Sequence, residues 1–152
     1  YVGRVVSLVK ELDRIIALFN TTGEKLIIIW SWPDEHYLKK IASDTILFVW
    51  RIDDETERYR ILREARWLIN ITQESFWLST AESLLLWVPV FAYSQGASAE
   101  LVDDQSWVVV NSKASRDLEK SFGEFCKQTY DRNHIQKRAR KLFSDQFGLS
   151  SL

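Results

Sequence analysis

The stretch Glu74–Val90, E-S-F-W-L-S-T-A-E-S-L-L-L-W-V-P-V, decides how this chain is read. It carries two carboxylates eight positions apart, Glu74 and Glu82. A short apolar turn of Phe76, Trp77 and Leu78 leads to a helix start at Ser79. The helix is expected over Thr80–Leu86, and a buried strand over Pro89–Ala92. A strand, a loop holding one acid and a helix N-terminus holding another form an anion-binding crevice at the edge of an α/β sheet.

Outward from that stretch, apolar runs of strand length alternate with helical patterns. Strands are expected at Tyr1–Val6, Lys25–Trp30, Thr45–Val49, Trp67–Ile71, Pro89–Ala92 and Trp107–Val110. Lys10–Asn20 sets Leu12, Ile15, Ile16 and Phe19 at helical spacing, and Thr21-Thr22-Gly23 stops it. Pro33-Asp34-Glu35 and Asp53-Asp54-Glu55 open two further helices, ending near Ala42 and Ala65. Helices over 115–130 and 133–147 close the chain. Strands alternating with helices across short loops predict an α/β fold, a Rossmann-like doubly wound parallel sheet of about six strands with helices on both faces. No repeat, linker or low-complexity segment divides the 152 residues, so one domain, 1–152, is expected.

The bulk composition narrows the function classes. Net charge is −1, so no global field points to nucleic acid. The longest apolar run, Leu84–Tyr93, is too short to span a bilayer. The single cysteine, Cys126, excludes an internal disulfide framework and fits a cytoplasmic setting. No metal site and no cofactor is expected: His36 and His134 lie far apart, and Cys126 has no partner at ligand spacing. The pairs Asp53-Asp54 and Asp103-Asp104 read as a helix cap and a solvated turn. The segment 113–141 holds nine basic and four acidic residues, densest at Gln136–Lys141. It reads as the solvated face of two helices, with anionic lipid headgroups as the functional alternative. It lacks the aromatic interleaving of a nucleic-acid surface.

The central stretch resembles the donor-site signature of the retaining group 1 glycosyltransferases of GT-B fold, E-x-F-G-x-x-x-x-E-A-x-x-x-G-x-P-V. Glu74, Phe76, Glu82, Pro89 and Val90 match in register. Trp77 and Trp87 stand at two glycines of the pattern, and Ser83 stands at its alanine. The opening V-G-R-V-V-S-L-V-K-E-L-D resembles the family's first strand and loop. Gly96, Glu100 and Leu101 and the tail A-R-K-L-F-S-D-Q-F continue the likeness. It covers the C-terminal, donor-binding lobe; the N-terminal acceptor lobe of such enzymes is absent from these residues.

The resemblance implies a UDP- or GDP-hexose donor, transferred with retention to a saccharide or lipid-linked acceptor, in the manner of mannosyltransferase-like enzymes of polysaccharide pathways. The lobe alone is expected to be inactive, because donor and acceptor meet between two lobes. The expected setting is the cytoplasm or the inner face of the membrane. Arg4 and Lys10 would hold the diphosphate with Ser79 and Thr80. Glu82 would accept from the ribose hydroxyls, and Glu74 would lie by the transferred sugar. Backbone at Phe76, Trp77, Leu78, Ser31 and Ile52 would line the donor loops. Each has a plainer reading. Arg4 and Lys10 could be solvated surface cations, Glu74 an exposed loop acid, and Glu82 the far half of a Ser79-Thr80-Ala81-Glu82 capping box. Two rivals to the whole reading are a GT-B-fold sugar-nucleotide epimerase and a non-catalytic partner-binding domain.

Seven tryptophans accompany only five glycines in 152 residues, about half the usual glycine share of ~7%. Trp30, Trp32, Trp50, Trp77, Trp87 and Trp107 fall where the family pattern has glycine, with Trp67 a weaker case. A single cause accounts for this: a source that reads UGA as glycine, its gene translated with UGA as tryptophan. The alternative is a diverged chain whose tryptophans pack into its core.

Overall fold

The computed structural model describes residues 11–30, 35–50, 52–71, 78–95, 101, 107–110 and 114–147. The elements run α1 Leu12–Thr22, β1 Leu26–Trp30, α2 Glu35–Ile41, β2 Ile46–Trp50, α3 Glu55–Glu64, β3 Leu68–Asn70, α4 Leu78–Leu85, β4 Val90–Tyr93, β5 Trp107–Val110, α5 Ser115–Lys127 and α6 Arg132–Phe147. The expected strand at Tyr1–Val6 lies outside the described residues.

Local chemistry sets the helix ends. In α1, Leu12, Ile15, Ile16, Leu18 and Phe19 are all buried, the stripe a sheet-facing helix needs. Gly23 ends it at φ 69°, with its amide donating to Phe19 O at 2.9 Å. A side chain at that φ would add strain that glycine avoids. Asp54 caps α3 by accepting from the Thr56 amide at 2.9 Å, as the acid pair before it predicts.

Every described strand pairing is parallel. β1 pairs with β2 from Leu26–Ile46 to Trp30–Trp50, β3 with β4 from Leu68–Val90, and β4 with β5 from Val90–Trp107. Parallel neighbours need long crossovers, and the helices supply them. One sheet of about six strands is not formed by these pairings: β1-β2 and β3-β4-β5 are separate sheets among the described residues.

Strand alternation divides the core in two. Ile69 and Phe91 point to one face, where Leu26 and Ile28 of β1 meet α1, Leu38 of α2, and Leu118, Phe122 and Phe125 of α5. Leu68, Val90 and Ala92 point to the other, against Leu62 of α3, Ala81 and Leu84 of α4, and Ile135, Ala139 and Phe143 of α6. Helices therefore cover both faces, which is why β4 reads as an unbroken apolar run. On the first face aromatic rings interlock: Phe91 lies 5.3 Å from both Phe122 and Phe125, and Trp67 lies 5.7 Å from the same two. Arg66 stacks over Trp67 at 4.2 Å. Trp67 is thus a packing residue.

Trp87 is the opposite case. It sits at φ 66°, in the left-handed region, just past α4. Val88 N donates to Ser83 O at 2.8 Å and Trp87 N to Leu84 O at 3.2 Å. These two bonds are a Schellman helix ending, with Trp87 at the position that glycine usually fills. Its side chain contributes to neither apolar core and is 38% exposed.

Candidate functional site

The site is built on α4, which follows the carboxyl end of β3. Asn70 closes that strand and is buried, 3% exposed. Its Nδ2 donates to Thr80 Oγ1 at 3.1 Å, and Thr80 is itself fully buried. The bond fastens the first turn of α4 to the strand end. Ser83, also fully buried, donates from Oγ to Ser79 O at 2.8 Å. The helix begins at Leu78, two residues before the expected first helical residue Thr80, so Ser79 and Thr80 both lie in its first turn. Amides of a first turn lack intrahelical acceptors and carry the positive end of the helix dipole.

The earlier start removes the capping-box reading of Glu82, which needs Ser79 outside the helix. Glu82 reaches across to α3 instead. Its Oε1 accepts from Tyr59 Oη at 3.3 Å and from Arg58 Nη2 at 3.4 Å. Arg58 also approaches Glu55 Oε1 at 3.6 Å and stacks over the Tyr59 ring at 5.2 Å. Arg58 and Glu82 keep 23% and 27% of their side-chain surface. Both donors fall on one carboxylate oxygen; Glu82 Oε2 has no partner among the described residues.

The structure therefore brings together Ser79, Thr80 and Glu82. Thr80 spends its hydroxyl inside the fold. Ile52 is half-buried ahead of α3, and Leu78 opens α4. Glu74, Arg4, Lys10, Phe76, Trp77 and Ser31 lie outside the described residues. Sequence reasoning missed Asn70, Arg58 and Tyr59. Asn70 was findable as the one polar residue in an apolar strand. Arg58 and Tyr59 lie on α3, which follows β2 by a short loop.

A groove of about 830 Å³ lies elsewhere, lined by Leu26, Ile27, Ile29, Leu47, Ile61 and Trp67 among others. No α4 residue borders it; Lys25, Arg60 and Arg66 stand among its lining with Glu24 and Glu64. Among the described residues no three His, Cys, Asp or Glu side chains converge as a metal would require. No helix among them is long and apolar enough to cross a membrane.

Parallel strands covered by helices on both faces, with a helix N-terminus beside a strand's carboxyl end, define a Rossmann-like lobe. More narrowly, the chain has the fold of one lobe of the GT-B glycosyltransferases. The catalytic domain of cholesterol-α-glucosyltransferase from Helicobacter pylori superposes with a TM-score of 0.70 at 16% identity, over 96% of each chain. The C-terminal domain of a group 1 family glycosyl transferase, LpcC, from Francisella tularensis gives 0.69 at 18% identity, over 96% of this chain and 83% of that one. HepE from Anabaena, solved with UDP and glucose, gives 0.72 at 16% identity, over 95% of this chain and 43% of that one. No protein-family model and no curated protein matches the sequence.

Proposed function

We propose that residues 1–152 form the donor-binding domain of a retaining GT-B glycosyltransferase that takes a UDP- or GDP-hexose. The acceptor, a saccharide or lipid-linked glycan, is bound by a second lobe. The carrying observation is Glu82: a carboxylate on the first helix past β3, held by one oxygen, with no partner for the other among the described residues, and carried by the helix whose first turn holds Ser79 and Thr80. That pairing suits a nucleoside diphosphate, whose ribose hydroxyls donate to the carboxylate and whose phosphates accept from the amides.

In this reading Arg4 and Lys10 complete the diphosphate site, Arg by its planar fork and Lys as a point charge. Ser79 and Thr80, in the first turn of α4, lie at its positive end on the phosphate side, and the Ser79 hydroxyl adds a donor. Transfer breaks the bond between the anomeric carbon and the diphosphate oxygen, and the electron pair stays on the diphosphate. The site's work is compensating that charge, which fixed cations and helix amides can do. Glu74 lies by the sugar, where positive charge develops. Backbone at Ser31, Ile52, Phe76, Trp77 and Leu78 lines the donor. Exposed Lys137, Arg140 and Lys141 on α6 suit peripheral contact with anionic headgroups at the inner membrane face, as enzymes of mannosyltransferase type in lipid-linked glycan synthesis require.

The test is a thermal-shift titration of the chain with UDP, GDP, AMP and UDP- and GDP-hexoses. A saturable rise in Tm with a diphosphate is expected. No response to any nucleotide, at ligand concentrations into the millimolar range, would sink the proposal.

A further inference from the structure

We infer that Arg58 and Tyr59 are positioning residues that set the ribose selectivity of the site through Glu82. The inference rests on the reading of Glu82 as the ribose-binding carboxylate. Its own observation is the arrangement of donors. Tyr59 Oη and Arg58 Nη2 converge on Glu82 Oε1 at 3.3 and 3.4 Å, and neither touches Oε2. A carboxylate has about four acceptor positions on its two oxygens. Filling one oxygen from α3 fixes the plane of the group and leaves the other oxygen for a ligand. A vicinal diol suits that remaining oxygen, since two adjacent O–H groups can donate to it.

Arg58 is more than an outward-reaching cation. Its Nε is buried and makes no hydrogen bond, so the guanidinium accepts the cost of an unsatisfied donor while its Nη2 reaches Glu82 and Glu55. A surface ion pair tying α3 to α4 would be expected to stay in water with all five donors solvated. The geometry here trades that solvation for a fixed orientation of Glu82. Tyr59 adds a rigid, neutral donor from the next position, under the Arg58 guanidinium. Holding a ligating carboxylate from behind narrows its orientation, as outer partners do for ligating side chains elsewhere.

A plain inter-helix contact would move stability and leave ligand choice alone. The measurement is therefore a ratio: affinity for UDP over 2′-deoxy-UDP, and for GDP over 2′-deoxy-GDP, by titration followed in ¹H-¹⁵N correlation spectra. Wild type is expected to favour the ribonucleotide by about tenfold or more, the size of one charge-assisted hydrogen bond. Glu82→Gln should bring the ratio to within about twofold of unity. Arg58→Met and Tyr59→Phe should each lower it at least threefold with deoxynucleotide affinity held, and Arg58→Lys should restore part of it. Tyr59→Phe removes a single hydroxyl, so it carries the test if Arg58→Met fails to fold. An altered ratio in Glu82→Gln with an unaltered ratio in both α3 variants would overturn the positioning role and leave the ribose reading standing. An unaltered ratio in Glu82→Gln, or no nucleotide binding at all, would remove the ribose reading and the inference together.

Discussion

Replacing Trp87 by glycine should stabilise this protein, although it deletes the largest side chain in the repertoire. At φ 66° an L side chain is strained by roughly 1–2 kcal/mol, and glycine is not. Against that gain, glycine enlarges the unfolded ensemble, which costs about 0.4–1 kcal/mol. Trp87 belongs to neither apolar core and is 38% exposed, so the packing lost is less than that of a core residue. The Schellman bonds at Val88 and residue 87 are backbone bonds and survive the change. The net expectation is about 0.5–1 kcal/mol of stabilisation, a rise in Tm of about 2–4 °C per kcal/mol for a chain of this size. Urea unfolding of the wild type, Trp87→Gly and Trp87→Ala measures it. Alanine removes the indole but keeps the strain, so glycine should exceed alanine. Alanine equal to or better than glycine would refute the argument that the backbone, not the side chain, governs this position. The same logic bears on the coding DNA. A UGA codon at Trp87 and at the other five glycine positions, with UGG at Trp67, would establish the decoding reading. UGG throughout would end it.

Trp67→Ala should behave oppositely, costing about 3–5 kcal/mol by calorimetry, because Trp67 packs on Phe122 and Phe125; a change under 1 kcal/mol would contradict that packing. Asn70→Ala removes a donor from buried Thr80 and should cost about 1–3 kcal/mol in urea, with Thr80→Val added to it costing less than the sum of the two single changes. Burial, and then the neighbouring Cys126, push the Tyr130 phenol well above its ordinary value. Its neutral form is favoured by folding, so its contribution is full below about pH 10 and lost as pH rises through the raised value. Tyr130→Phe should therefore flatten the fall of Tm above pH 10, and identical alkaline profiles would exclude the effect. In an active form containing both lobes, Arg4→Ala and Lys10→Ala should each weaken donor use by about 1.5–3 kcal/mol in kcat/KM; unchanged kinetics in both would take them out of the site.

The fold was legible where pattern and element length agreed. Runs such as Leu26–Trp30 and Val90–Tyr93 are apolar throughout, as parallel strands are; Val90–Ala92 is buried, Ile27 of the first run is 42% exposed, and each was read within about a residue of its end. The helix-opening acids at Asp53-Asp54 were equally plain. The site was harder, because a single residue of register changes what a side chain faces. With α4 starting at Leu78, Thr80 turns inward and Glu82 turns toward α3. The partners of Glu82 come from a helix more than twenty residues earlier, and no local spacing encodes that meeting. Trp87 shows the reverse. The glycine pattern marked it as out of place, and its left-handed backbone gives the physical reason.

The aromatic cluster gives the protein a built-in optical reporter. Trp67 is wedged against Phe122 and Phe125 with a guanidinium on its face, while Trp87 is 38% exposed and outside both cores. With glycine at the six other tryptophan positions, Trp67 would be the sole indole emitter. Its emission should be blue-shifted and shielded from acrylamide in the folded chain, and red-shifted and freely quenched on unfolding. Because its ring neighbours Phe122 and Phe125 come from α5, that one chromophore would report the docking of α5 onto the sheet.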